Sequence, residues 1–244
     1  MNFLIIGASS GMGRAFAEEL IRSGHDLLMV ASDERDLQAL SADLSLKSSS
    51  AVDYLACHIQ SERPWLEELK KKIAASKELD GIFLPIGWSS DQDRICSSPE
   101  LVNKIMEINF TAVVKIISHC LPFFLAKNKG YIVGFGSVSS LRGRNFNVVY
   151  AAAKRALASY FESLRHATAG TNIKVQLYQL GYLNTANNWG RKLLFPKADP
   201  TNVARHILRN LDRDFGSTFF PRFWIVLQYV VRWLPWKIFK RFKF

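Results

Sequence analysis

The sequence predicts an α/β protein: a doubly wound parallel sheet with helices on both faces. Three observations predict it. Short apolar runs alternate with amphipathic helical stretches almost from end to end. The intervening helices have the length of crossover connections, which makes neighbouring strands parallel and covers the sheet on both sides. The composition, 48% apolar and 22% charged over 244 residues, is that of a chain that buries a sizeable core. It excludes disordered, collagen-like and disulfide-framework classes.

Taken in order, residues 2–7 (NFLIIG) read as a buried strand and residues 12–23 as a helix, with Phe16, Leu20 and Ile21 on one side and Gly24 closing it. Residues 25–31 form the next strand, and the pattern repeats: helix 34–44, strand 51–57, helix 62–76, strand 80–86 and a long helix 99–126. Strand 130–136, helix 148–168 and strand 172–180 complete the alternation. The Ser-rich piece 45–50 reads as a surface connection. Residues 181–199 lack a period and hold Gly181, Gly190 and Pro196, so they read as a long, functional loop. The expected organisation is one domain over residues 1–218 and an aromatic, basic tail over residues 219–244.

The formal charge is +11, and it is uneven. Arg222, Arg232, Lys237, Lys240, Arg241 and Lys243 contribute +6, with no acidic residue after Asp214. Such a concentration at one end points to an anionic partner there. The three cysteines Cys57, Cys96 and Cys120 form no CxxC pair, so a reducing compartment is expected and no metal site is. The first residues run straight into a strand without a basic region or a cleavage site, and a cytoplasmic location is expected.

Gly7-Ala8-Ser9-Ser10-Gly11-Met12-Gly13 lies between the first strand and the first helix. Residues without a Cβ let a ligand approach the backbone, and the following helix directs its free N–H groups and positive end at whatever is bound. A pyrophosphate suits that site. The same residues also spell Gly7-x-Ser9-x-Gly11, the nucleophile elbow of acyl-transfer hydrolases. An elbow needs several strands before it, whereas Ser9 follows the first, so the phosphate reading is preferred.

Tyr150 and Lys154 stand four apart within residues 148–157, so both leave one face of a helix. An ammonium near a phenol favours the phenolate and makes tyrosine a proton donor and acceptor near neutral pH. The three residues between them are alanines, which let other structure approach that face.

Gly7-x-x-x-Gly11-x-Gly13, Ser137 thirteen residues before Tyr150, and Tyr150-x-x-x-Lys154 together resemble the short-chain dehydrogenase/reductase family, over residues 2 to about 213. Asn109, and Gly181 with Thr185, match further family positions. The resemblance implies a Rossmann-type sheet and hydride transfer between a nicotinamide dinucleotide and a carbonyl/alcohol pair. It implies that Tyr150 protonates the carbonyl oxygen, Lys154 binds the nicotinamide ribose, Ser137 hydrogen-bonds the substrate oxygen and Asn109 holds a relay water. Gly7, Ser9, Ser10, Gly11, Met12, Gly13, Ser32, Gly87, Gly181 and Thr185 would contact the cofactor with Tyr150 and Lys154. A dinucleotide-binding sensor or scaffold of the same fold, without catalysis, is the alternative.

Three departures from the family pattern stand out. Leu84-Pro85-Ile86-Gly87 replaces an Asn-Asn-Ala-Gly run, Leu180 replaces a proline, and His58 stands where an adenine-contacting aspartate is usual. At the end of the second strand an acidic side chain would hold the ribose diol of NAD and a cation would suit the NADP phosphate. Here Ser32 occupies that place with Asp33 and Arg35 nearby, and NADP(H) is preferred over NAD(H).

In the tail, Trp224, Trp233, Trp236, Phe239 and Phe242 interleave with cations, and the longest apolar run, 223–227, is far short of the ~20 residues that span a bilayer. A helix lying in an anionic membrane interface fits that mix. So does a helix packed on the domain or on a second copy, in a homo-oligomer. Nothing beyond charge and aromatics supports nucleic acid. The ending is similar to that of bacterial reductases of lipid-linked keto-sugars, of the decaprenylphosphoryl keto-ribose type, which would imply a lipid-linked carbonyl substrate. Asn184, Asn187, Asn188, Trp189, Arg191 and Lys192 in the preceding loop offer hydrogen bonds to a polyol or a phosphate.

Overall fold

The computed structural model describes residues 1–59, 65–75, 78–185 and 195–241. Seven strands form one parallel sheet: β1 (Asn2–Ile6), β2 (Asp26–Ala31), β3 (Val52–Ala56), β4 (Gly81–Leu84), β5 (Lys129–Ser137), β6 (Asn172–Leu180) and β7 (Ser217–Phe220). Their order is β3-β2-β1-β4-β5-β6-β7, so the winding reverses between β1 and β4. The crevice at the carboxyl ends of strands flanking such a reversal is where open α/β sheets bind ligands.

Strand alternation sends side chains to two cores. Phe3 and Ile5 of β1 join one core with α1 (Gly11–Arg22), α2 (Glu34–Lys47) and α7 (Pro200–Arg209). Leu4 and Ile6 join the other with α3 (Trp65–Ala75), α5 (Ala112–Lys127) and α6 (Val148–Ala167). The period of two along each strand thus places helices on both faces, as the alternation predicts.

Phe16, Leu20 and Ile21 are buried on the inner side of α1, and Gly24 turns the chain out of it with φ +74°. Glu19, also buried, pairs with Arg22 on the same helix and with Arg205 of α7 at 3.1 Å. That carboxylate ties α1 to α7 across their packing interface.

Four expectations change. The Ser-rich piece is partly helical, because α2 continues to Lys47, where Lys47 Nζ meets Asp43 at 2.6 Å one turn back. The long helix is interrupted: α4 (Pro99–Met106) passes through a π-helical turn, Glu107–Thr111, before α5. The apolar run Pro99–Lys127 has the length and hydropathy of a membrane span, yet Ile105, Val113, Ile116, Ile117, Cys120 and Phe124 on it are packed in the core. Helix α7, which the sequence reading leaves unassigned, follows the loop. Asp199 caps it by accepting from Asn202 N–H at 3.0 Å.

The fourth concerns the tail. Phe219 and Phe220 belong to β7, so a boundary at residue 218 falls inside a strand of the sheet. Beyond it, α8 (Trp224–Trp233) and α9 (Trp236–Phe239) lean on the domain. Trp224 is buried against Gly181, and the Arg142 guanidinium donates to the Val231 carbonyl at 3.1 Å and to that of Leu234 while lying 3.9 Å over the Phe239 ring. Arg142 thereby satisfies carbonyls that the end of α8 leaves without helical partners. The opposite side of the tail exposes Val226, Tyr229, Val230, Trp233 and Trp236.

Candidate active site

A cleft of about 890 Å³ opens at the carboxyl ends of β1, β2, β4, β5 and β6. Gly7, with φ +91°, turns the chain out of β1, and its N–H donates to Val30 O at 2.7 Å. Three residues into α1, a Cβ on Gly13 would lie 1.9 Å from Gly7 O, so glycine is required for the helix to start against the strand. Ser10 takes the N-cap position with no bond from its side chain to the helix, which leaves its hydroxyl free toward the cleft.

The structure places twelve of the fourteen sequence-derived site residues on this one cleft: Gly7, Ser9, Ser10, Gly11, Met12, Ser32, Gly87, Ser137, Tyr150, Lys154, Gly181 and Thr185. Gly13 and Asn109 stand just behind it. Asn109 is fully buried in the π-helical turn and gives both amide hydrogens to carbonyls, Trp88 O at 2.7 Å and Ile105 O at 2.9 Å. Its Oδ1 accepts from Trp88 N–H at 3.2 Å. A Cβ on Gly87 would sit 3.3 Å from that oxygen and 3.4 Å from Lys154 Nζ, so the glycine lets Asn109 and Lys154 close on the same backbone. A side chain there would press on both groups. His58 and Leu180 also line the cleft.

At the far end, Ser137 Oγ accepts from the Ser139 N–H at 3.2 Å and from the Ser139 hydroxyl at 2.7 Å. With its lone pairs so engaged, its own proton is left for the Tyr150 phenol, whose pKa it pulls down. Burial pushes that phenol above the ordinary tyrosine range, against Ser137 and the charge of Arg144, which both pull it down. This corrects the sequence expectation that Lys154 does the pulling. Lys154 Nζ lies 5.8 Å from the Tyr150 ring centre and donates instead to Phe135 O at 3.0 Å and Ile86 O at 3.3 Å. Burial lowers its own pKa to about 8.

Sequence reasoning missed three further groups. The amino end of α6 has no cap of its own: Asn147, at φ +51°, makes no side-chain bond to it. The cap comes from the loop after β4, where fully buried Asp93 accepts from Val149 N–H and Tyr150 N–H, both at 2.9 Å. Arg144 and Tyr182 line the cleft with Tyr150 and act on each other electrostatically. No local pattern marks either partnership. Asn187, Asn188, Trp189, Arg191 and Lys192 lie outside the described residues. No metal-binding cluster of His, Cys, Asp or Glu occurs among the described residues.

A family profile described as short chain dehydrogenase matches residues 2–192. The chain belongs to the short-chain dehydrogenase family. It is 30% identical over 242 residues to a hydroxysteroid 11-beta-dehydrogenase 1-like protein of Macaca fascicularis, covering 95% of this chain and 82% of that one. It is 27% identical over 227 residues to a dehydrogenase/reductase SDR family protein 7-like of Anopheles gambiae, covering 86% of this chain and 72% of that one. A short-chain dehydrogenase from Sphingobium yanoikuyae, solved in complex with NADPH, superposes with a TM-score of 0.83 at 24% identity, over 99% of this chain and 96% of the other. The fold is accordingly the Rossmann-like sheet of short-chain dehydrogenases, and the protein is an NAD(P)-dependent oxidoreductase acting on small carbonyl or alcohol compounds. The likeness of the tail to lipid-linked keto-sugar reductases is not confirmed by these relatives.

The residues present fit a dinucleotide. The Gly7–Gly13 turn keeps side chains away from the start of α1, the Ser10 hydroxyl is uncommitted, and the cleft continues without a break to Lys154 and Tyr150.

Proposed function

We propose that this short-chain dehydrogenase is an NADP(H)-preferring carbonyl reductase in which Tyr150, Ser137, Lys154 and Asn109 act together. The observation that carries the proposal is the convergence of the Ser137 hydroxyl, the Tyr150 phenol and the Lys154 ammonium on the cleft that begins at the glycine turn. The dinucleotide, when bound, supplies the hydride. The chain supplies the rest. Tyr150, protonated at neutral pH because burial raises its pKa, donates its proton to the carbonyl oxygen as carbon receives the hydride. Ser137 donates its hydrogen bond to the oxygen on which charge develops. Lys154 offers a ribose the one N–H that Phe135 O and Ile86 O leave unused. Asn109 holds Trp88 and Gly87 in place, and its carbonyl oxygen retains one lone pair for the relay water that the family resemblance implies.

Two observations support the phosphate-bearing dinucleotide. Ser32, not a carboxylate, lines the cleft at the end of β2, and Asp33 is turned to α2, where it accepts from Asp36 N–H at 3.0 Å. A carboxylate engaged as a helix cap is a weaker deterrent to a phosphate than a free one.

For the tail, the exposed row Val226, Tyr229, Val230 and Trp233 lies at helical spacing beside Arg222, Arg232, Lys237, Lys240 and Arg241. That arrangement supports resting on an anionic membrane surface, from which an amphiphilic, lipid-linked carbonyl substrate would be drawn. Coverage by a second copy in a homo-oligomer is the reading it competes with.

Tyr150→Phe tests the catalytic assignment. It should reduce NADPH-dependent turnover by about a thousandfold or more while dinucleotide affinity, read by fluorescence titration, stays within about threefold. Turnover near the wild-type rate would remove Tyr150 from the mechanism and favour the sensor or scaffold alternative.

A further inference from the structure

Arg144 is a cation whose bonding is incomplete. It is half-buried at the cleft wall, its Nε is shielded from solvent without a hydrogen-bond partner, and its guanidinium lies 4.7 Å from the Phe146 ring centre. Its polar neighbours are the Tyr182 and Tyr150 phenols, and among the described residues no carboxylate acts on it. Lys154, the other cation of the cleft, is occupied by two carbonyls, and Asp91, the carboxylate on the same cleft, already has a partner. A desolvated cation lacking a counter-charge is costly, and a guanidinium lying against an aromatic ring leaves donors along its edge. The planar fork of those donors matches the paired oxygens of a carboxylate or phosphate.

We propose that Arg144 is a specificity-determining residue that binds an anionic oxygen group, carboxylate or phosphate, on the carbonyl substrate. The inference rests on the oxidoreductase reading and names the substrate class of that site: an oxo-acid or a phosphorylated carbonyl compound. With the Tyr182 phenol as a neighbour and the Phe146 ring against it, the guanidinium would hold the anion while the carbonyl meets Tyr150. Arg94, 5.5 Å from the same Phe146 ring, adds a second positive charge nearby.

The test uses matched probes: 4-formylbenzoate against its methyl ester, and glyceraldehyde 3-phosphate against glyceraldehyde, each reduced with NADPH by the wild type, Arg144→Gln and Arg144→Lys. The wild type should favour at least one anionic member by tenfold or more in kcat/KM, Arg144→Gln should collapse that ratio to near one, and Arg144→Lys should restore part of it. Which pair shows the preference separates carboxylate from phosphate. Equal loss on charged and neutral probes would overturn the proposal, because Arg144 would then act only through Tyr150. A wild type that favours neutral probes would overturn it too. Calorimetric titration of benzoate and of inorganic phosphate into the NADP+-saturated protein separates the two levels of inference. Binding weakened tenfold or more by Arg144→Gln, without turnover of any probe, keeps the anion site and counts against the reductase reading. Turnover without charge preference, and no anion binding, does the reverse.

Discussion

The carboxylate of Asp93 accepts the backbone N–H of Tyr150 at 2.9 Å, across 57 residues of sequence. Together with the bond from Val149 N–H, it supplies from another loop the cap that α6 lacks. Asp93 O also accepts from Asn147 N–H at 2.8 Å, so the loop after β4 and the start of the catalytic helix are locked as one unit. Removing the carboxylate would leave two amide donors without a partner and free the first turn of α6, on which the phenol rides. Asp93→Ala should therefore lower stability by about 1–3 kcal/mol in urea unfolding. It should also reduce kcat more than it raises KM for the dinucleotide, with Asp93→Asn, which retains one acceptor oxygen, recovering part of both. A stability loss with unchanged kcat would make the cap purely structural.

Lys154 contributes a pH dependence of definite sign. Its folded pKa of about 8 lies below its ordinary 10.5, so between those values the unfolded chain binds more protons than the folded one. Stability from this group accordingly rises with pH across that window, with a slope approaching about 1.4 kcal/mol per pH unit. The unfolding free energy of wild type minus that of Lys154→Met, followed by denaturant titration from pH 7 to 10.5, should climb. A flat difference would mean that the buried amine keeps its proton throughout.

Ser32 sits where an acidic side chain would select the unphosphorylated ribose. Ser32→Asp should cut kcat/KM for NADPH by about tenfold or more and improve that for NADH, reversing the preference. If wild type already favours NADH, the NADP(H) assignment fails.

The tail can be tested without disturbing the sheet. A chain ending near Asp214 would lose β7 and buried Trp224, so truncation would confuse unfolding with lost binding. Trp233 and Val226 are 78% and 71% exposed, and replacing both by serine leaves the packed side of the tail intact. The double variant should pellet with anionic vesicles at least about fivefold less than wild type, and wild-type binding should weaken in high salt. Equal pelleting of both, or a loss of self-association by light scattering in place of a loss of vesicle binding, would dismiss the membrane reading.

Much of the fold was legible because strand and helix periods are local. Phe3 and Ile5 face one core, and Leu4 and Ile6 the other, by alternation alone. Tyr150 and Lys154 share a helix face by spacing alone. The seventh strand was not legible as part of the sheet: Ser217–Phe220 is only four residues, and what makes it a strand is its pairing with β6. The π-helical turn at Asn109 was likewise hidden, since residues 99–126 keep one helical apolar pattern through it.

The sequence by itself determined the alternating architecture, the glycine turn at the start of the first helix, and the residue types gathered at the strand ends. Those features depend on neighbours a few positions apart, where geometry follows from spacing. Only the tertiary structure decided that Asp93 caps the catalytic helix, that Arg144 rather than Lys154 pulls on the Tyr150 phenol, that Gly87 lets Asn109 and Lys154 close on one stretch of backbone, and that Arg142 pins the tail. Each of these depends on burial or on hydrogen bonds between groups distant in the chain, and both are set when the elements pack.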